Sequence, residues 1–165
     1  MIKMIVLDVD GTLTDGNIYY TSAGEEIKQF NVKDGMGITL ANRLGIKFVI
    51  ITGRTSEIVQ KRAIELGITD VYQGSNKKLD ILKNLCIKYK IDKDEIAYIG
   101  DDINDLSCMK YVKLPMTTAD SVDEVKKVCE FISIKNGGNG AVRECIDHIL
   151  KLNNLYEKAL KHYEA

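Results

Sequence analysis

Short apolar runs alternate with helix-patterned stretches along almost the whole chain, and this alternation constrains the fold more than any other feature. The runs are Met4–Leu7, Phe48–Ile51, Val71–Tyr72, Ile96–Ile99 and Lys113–Met116, with Phe131–Ile132 as an edge strand. Runs so short and so continuously apolar read as strands buried on both faces. Between them, Met36–Leu44, Glu57–Leu66, Leu79–Tyr89 and Val122–Val128 carry helical spacing. Gly45 and Gly67 stand where helix C-caps belong, and Asp120 and Ser121 offer N-cap oxygens. Strand–helix–strand alternation implies right-handed crossovers and a parallel sheet flanked by helices. The predicted class is α/β, a single Rossmann-like domain over residues 1–165.

Two segments depart from the alternation. Ile18–Tyr20 and Glu26–Phe30, joined across Ser22-Ala23-Gly24, read as a β-hairpin inserted after the first strand, over about residues 18–30. The C-terminal segment, about residues 141–163, is helical in pattern. Val142, Ile146, Ile149, Leu152, Tyr156, Leu160 and Tyr163 recur at steps of three or four and form one apolar stripe. A stripe that long exceeds what a small sheet needs, so part of it is expected against another subunit. No gap between elements is long enough for a cap domain.

Composition narrows the function classes. Lys and Arg together number 23 against 24 Asp and Glu, a net charge of -1, which gives no electrostatic reason to expect nucleic acid or membrane as the partner. The apolar start Met1–Leu7 is broken by Lys3 and is too short for a signal core or a transmembrane span, so a cytoplasmic location is expected. Cys86, Cys108, Cys129 and Cys145 lie far apart without a Cys-x-x-Cys pair, which disfavours a zinc site and favours reduced thiols.

In an open parallel sheet ligands bind beyond the carboxyl ends of the strands. The first strand there delivers Asp8-Val9-Asp10-Gly11-Thr12, the second Thr52-Gly53-Arg54, and the fourth Gly100-Asp101-Asp102-Ile103-Asn104-Asp105. Lys78, at the start of the helix after the third strand, reaches the same rim. Carboxylates crowded together repel unless a cation joins them, and an all-oxygen donor set beside a phosphate suits Mg²⁺. A metal, an exposed aspartate, an ammonium and a hydroxyl together make a phosphate cradle. Asp-x-Asp-Gly also opens calcium loops, but such a loop follows a helix and needs Gly at its sixth position, where this chain has Leu13.

Asp8-Val9-Asp10-Gly11-Thr12-Leu13-Thr14, Thr52, Lys78 and Gly100-Asp101-Asp102 resemble the four motifs of the haloacid-dehalogenase-like phosphatases. Asp15-Gly16, Phe30–Gly37, Tyr72-Gln73-Gly74 and Gly137–Glu144 extend the resemblance, over residues 3–150, to the 3-deoxy-D-manno-octulosonate 8-phosphate (Kdo 8-phosphate) phosphatase branch.

The resemblance implies a set of roles. Asp8 is the nucleophile that forms an aspartyl phosphate, and Asp10 is the general acid and base. Mg²⁺ is held by Asp8, Asp101 and the backbone carbonyl of Asp10. Thr52 and Lys78 bind phosphoryl oxygens, while Asp102 and Asp105 orient the metal and Lys78. Contacts to the sugar acid are implied for Asn31, Val32, Lys33, Asp34, Gly35, Arg54 and Arg62, and the assembly implied is a homotetramer. One position departs: Thr39 stands where the octulosonate phosphatases carry a basic residue. Two alternatives stay open. One is a phosphatase for a sialic-acid-type (nonulosonate) 9-phosphate, in whose relatives Glu tends to replace Arg54. The other is a non-catalytic regulatory domain linked to a sugar cytidylyltransferase, which has no need of intact Asp8 and Asp10.

Overall fold

The computed structural model describes residues 1–164. In chain order, β1 (Met4–Leu7) is followed by a hairpin of β2 (Tyr19–Tyr20) and β3 (Glu26–Ile27), then α1 (Val32–Arg43), β4 (Lys47–Ile51), α2 (Glu57–Glu65) and β5 (Asp70–Tyr72). The second half contains α3 (Lys78–Tyr89), β6 (Ile96–Ile99), α4 (Leu106–Met109), β7 (Leu114–Thr117), α5 (Asp123–Lys126), β8 (Phe131–Ile132), α6 (Ala141–Leu152) and α7 (Tyr156–Lys161). Six strands form one sheet in the order β5-β4-β1-β6-β7-β8, and β2 and β3 pair apart from it. Every pairing in the large sheet is parallel.

Alternate residues along a strand face opposite sides of a sheet, and the two cores follow that rule. Ile5 and Leu7 of β1 join Phe48 and Ile50 of β4 in a core closed by Ile38 and Ala41 of α1, Val59 and Ala63 of α2, and Val142, Ile146 and Ile149 of α6. Met4 and Val6, with Val49 and Ile51, face the other way onto Leu82 and Leu85 of α3, Met109 of α4 and Val125 of α5. The predicted strands read as unbroken apolar runs because both faces are covered. Gly45 and Gly67 each follow a helix with positive φ (86° and 69°), the backbone that ends α1 and α2 in the expected places.

The sheet order fixes where a ligand binds. The chain moves outward from β1 through β4 to β5, then crosses back to β6 on the other side of β1. The strand order thus reverses at β1, and the crevice beyond the carboxyl ends of β1, β4 and β6 is the switch point.

Three expectations need correction. The apolar stripe of residues 141–163 does not run along one helix. Asn153 and Asn154 interrupt it, Asn154 with φ 57°, and the Asn153 side chain bonds the Ile2 N–H (2.9 Å) and the Ile2 carbonyl (2.8 Å). The segment after the break meets the chain's own α1, with Ala159 buried and Arg43 donating to the Tyr163 hydroxyl at 2.6 Å. The first helix begins at Val32 rather than Met36, because the Asn31 side chain accepts the Lys33 N–H at 2.8 Å and caps it. Asp120 caps no helix; its Oδ1 accepts the Gly137 N–H at 3.0 Å, while the Ser121 hydroxyl donates to the Thr118 carbonyl at 2.9 Å.

Candidate active site

The loop after β1 is wound around a single acceptor. The N–H groups of Thr12, Leu13 and Thr14 all reach the Val9 carbonyl, at 3.1, 2.9 and 3.1 Å. The Thr14 hydroxyl oxygen accepts from the N–H groups of Gly11 and Gly16, both at 3.2 Å. Gly11 takes φ 89° and lies against Asp101, whose Oδ2 is 1.9 Å from where a Cβ would be. A side chain there would be strained at that φ and would displace the carboxylate, so the glycine lets Asp101 approach the loop after β1. The loop Gly137-Gly138 packs on the far side of Gly11, and Gly138 donates to the Thr12 carbonyl at 3.2 Å.

Asp8 emerges from this frame nearly buried, its N–H on the Ile99 carbonyl at 3.0 Å. Lys78, the first residue of α3, reaches down so that Nζ stands 3.0 Å from Asp8 Oδ1 and 2.7 Å from Asp105 Oδ1. Asp105 is fully engaged. Its Oδ1 also accepts from the Tyr98 hydroxyl at 2.7 Å, and its Oδ2 accepts the N–H groups of Asp101 and Asp102 at 3.1 and 3.4 Å. Asp105 thereby orients Lys78 and the strand-end loop carrying Asp101. Asp102 caps the 3₁₀ turn at Ile103–Asp105 through the Ile103 N–H.

Asp8, Asp101 and Asp105 each offer an oxygen within 4.8 Å of the others. Burial, with the charges of Asp8 and Asp105, pushes the Asp101 carboxyl up to about 8. Burial and Asp105 raise Asp8 to about 6, against the pull of the Lys78 ammonium. Carboxylates held away from their ordinary range by one another fit a divalent cation that relieves the repulsion, and every donor is a hard oxygen. Since Asp105 spends both oxygens on hydrogen bonds, Asp8 and Asp101 are the side chains with capacity to bind one.

A cavity of about 260 Å³ opens over this floor, lined among others by Asp8, Asp10, Thr52, Arg54, Asp101 and Asp102. Thr52 is buried at the end of β4, its N–H on the Tyr72 carbonyl at 2.9 Å. Arg54 borders the cavity and pairs with Glu26 of β3 at 3.0 Å. Gly16 and Ile18 bring the root of the hairpin to the same wall.

The structure brings Asp8, Asp10, Thr52, Lys78, Asp101, Asp102, Asp105 and Arg54 to one place, as the strand-end reading expects. Other candidates lie apart from their own chain's cavity. Arg62 pairs with Glu65 at 3.2 Å, with its guanidinium beside Gly35 and over the Phe30 ring. Asn31, Val32, Lys33, Asp34 and Gly35 form the start of α1. Asp34 faces α6, where its Oδ1 accepts the Arg143 N–H at 2.8 Å, and burial raises its carboxyl. Thr39 turns its hydroxyl onto the Gly35 carbonyl of its own helix at 3.0 Å.

Sequence reasoning missed Lys28, whose ammonium meets Asp10, and Asn104, which joins the cavity wall. The signal for Lys28 was the period of two in Glu26-Ile27-Lys28, which places Glu26 and Lys28 on one face of the hairpin.

An α/β fold with an aspartate pair after the central strand, a hydroxyl at the next strand end, a buried lysine and a second carboxylate pair defines a haloacid dehalogenase-like hydrolase. The family model described as haloacid dehalogenase-like hydrolase matches residues 63–145. The 3-deoxy-D-manno-octulosonate 8-phosphate phosphatase of Escherichia coli is 40% identical over 158 residues, 96% of this chain and 84% of that one. The Moraxella catarrhalis phosphatase of the same name, solved with magnesium, phosphate and Kdo, superposes with a TM-score of 0.95 at 41% identity, over 98% of this chain and 93% of that one. The cobalt-bound form of the Haemophilus influenzae phosphatase gives 0.88 at 35% identity, over 96% and 91%. The chain belongs to this family, the 3-deoxy-D-manno-octulosonate 8-phosphate phosphatases.

Proposed function

We propose that the chain is a Mg²⁺-dependent phosphatase that hydrolyses 3-deoxy-D-manno-octulosonate 8-phosphate through an aspartyl phosphate on Asp8. The observation that carries this reading is the position of Asp8, between the Lys78 ammonium and Asp101 on the floor of a cavity that Arg54 borders. The relatives that act on this sugar acid support the substrate.

Asp8 attacks phosphorus; the P–O bond to the sugar breaks, and Asp10 delivers a proton to the departing alkoxide. Water then attacks the aspartyl phosphate, gives its proton to Asp10 and releases inorganic phosphate. Lys78 and the Thr52 hydroxyl hold phosphoryl oxygens and offset the charge that develops on them. Asp105 keeps Lys78 aimed at Asp8 through the 2.7 Å contact. Asp8, Asp101 and the backbone carbonyl of Asp10 would hold the Mg²⁺, which supplies charge neutralisation to the phosphoryl group. Arg54 recognises the sugar carboxylate as a charge-assisted partner.

The reading extends to assembly: one domain per chain, in a homotetramer whose hairpins cover neighbouring sites. Support comes from the apolar side chains that the hairpin and the start of α1 leave in solvent: Ile18, Tyr20, Ile27 and Val32, the last 80% exposed. In such an assembly Arg62 and residues 31–35 serve a neighbouring site. A cytoplasmic place of action is consistent with the four cysteines, all free. No described helix is long and apolar enough to cross a membrane.

The test is phosphate release from 3-deoxy-D-manno-octulosonate 8-phosphate and from a neutral hexose phosphate, each with Mg²⁺ and with chelator. Mg²⁺-dependent turnover favouring the acidic sugar is expected. Activity undiminished by chelation, or no turnover of either ester, would overturn the reading.

A further inference from the structure

The hairpin carries a row of charges into the site. Ile27 points to solvent, 51% exposed, and its neighbours Glu26 and Lys28 turn inward. Lys28 Nζ stands 2.5 Å from Asp10 Oδ1 and 3.2 Å from Glu26 Oε1, and the same Glu26 oxygen lies 3.0 Å from Arg54 Nη2. Four alternating charges, Asp10, Lys28, Glu26 and Arg54, therefore form a chain that joins two residues of the cavity wall. Asp10 and Arg54 line the cavity, but Lys28 does not, and its side chain is only 4% exposed. An ammonium withdrawn so far from water is stable only when paired, and here two carboxylates hold it.

Among the described residues no other hydrogen bond reaches the Asp10 carboxylate. The second oxygen is left for reaction while Lys28 fixes the first. General acid catalysis depends on placing the proton within hydrogen-bond reach of the leaving oxygen, and a misplacement of about 1 Å can cost ~10²-fold. We propose that Lys28 is a positioning residue that fixes the Asp10 carboxylate for proton delivery, with Glu26 tying it to Arg54. This inference rests on the acid–base role given to Asp10 above. It gives the hairpin a catalytic duty within its own chain, apart from any duty at a subunit boundary.

The experiment compares Lys28→Met with the parent on two esters, 3-deoxy-D-manno-octulosonate 8-phosphate and p-nitrophenyl phosphate. The sugar leaves as an alkoxide that needs a proton; nitrophenolate leaves without one. Because kcat/KM reports events up to departure of the alcohol, only the sugar ester should register a misplaced acid. Lys28→Met is expected to lower kcat on the sugar ester by about 10–100-fold with KM within about 2-fold, and to change kcat/KM on the aryl ester by less than about 3-fold. Lys28→Arg should restore most of the loss.

Equal losses on both esters, a change in KM alone, or full activity would overturn the proposal. Should Lys28→Met fail to fold, Glu26→Gln goes through the same pair of assays. A kcat loss confined to the sugar ester, with KM within about 2-fold, is then expected, and its absence, or a change in KM alone, would overturn the proposal. Asp10→Asn, run in parallel, separates the two claims. If it loses the sugar ester and Lys28→Met does not, only the role of Lys28 falls. If Asp10→Asn stays fully active, the acid–base assignment falls with it.

Discussion

Gly137 lies directly against Gly11: a Cβ on Gly137 would stand 1.9 Å from the Gly11 carbonyl oxygen and 2.8 Å from that of Thr14. Both clashing atoms are backbone, in the loop that follows the nucleophile position, so neither can rotate away. Two distant segments of the chain thus meet with no room for a side chain, and the second segment holds the first in shape.

Gly137→Ala should therefore push the Gly11 loop off its place. The expected cost is about 1–3 kcal/mol of stability, the range for overpacking a tight site, with a loss of activity larger than the fraction unfolded explains. Chemical denaturation alongside kcat measurement checks it. A variant with parent stability and parent kcat would show that the loop tolerates the shift.

Asp101 and Asp8 give the metal-free protein a pH dependence of definite sign. Both carboxyls are raised in the folded state, so between about pH 4 and 8 the folded chain binds more protons than the unfolded one. Stability without metal should fall as pH rises through that window. Thermal melts in chelator from pH 5 to 8 should show a declining Tm, and Mg²⁺ should raise Tm most at the alkaline end. Asp101→Asn removes one of the repelling charges. It should gain at least about 2 °C over the parent in chelator at pH 8 while losing activity. A metal-free Tm that rises across the window would contradict the charge account of the site.

Arg54 borders the cavity with a guanidinium, and Thr39 supplies no cation of its own. Arg54→Ala should lower kcat/KM for the acidic sugar phosphate by about 10–100-fold, the worth of a hydrogen bond to a charged group. A neutral hexose phosphate should be affected by less than about 3-fold. Parallel losses on both substrates would assign Arg54 to phosphate binding instead of carboxylate recognition.

Most of the site was legible because a parallel sheet converts sequence position into spatial position. Asp8, Thr52 and Asp101 each follow an apolar run, so their meeting needed only the topology. Lys78 was legible from its place at a helix start. Contacts made by twist and chain reversal were not. Lys28 reaches Asp10 only because the hairpin folds back over the loop after β1, and nothing in local spacing sets that angle. The break at Asn153–Asn154 was hidden because Leu152, Tyr156 and Leu160 keep helical spacing across it. What ends the helix is a tertiary bond from Asn153 to Ile2, at the opposite end of the chain. Asp120 resembled a cap by residue type, but the buried Gly137 N–H had the stronger claim on it.

The central claim is that Asp8 takes the phosphoryl group, and trapping tests it most directly. Enzyme mixed with 3-deoxy-D-manno-octulosonate 8-phosphate carrying labelled phosphorus, in Mg²⁺, is quenched in acid within one turnover and mapped by peptide mass spectrometry. The account expects a phosphoryl label that survives acid, is released by hydroxylamine as an acyl phosphate is, and lies on the peptide containing Asp8. Asp8→Asn should carry none. Rapid turnover with no labelled protein, or a label on any other side chain, would contradict it.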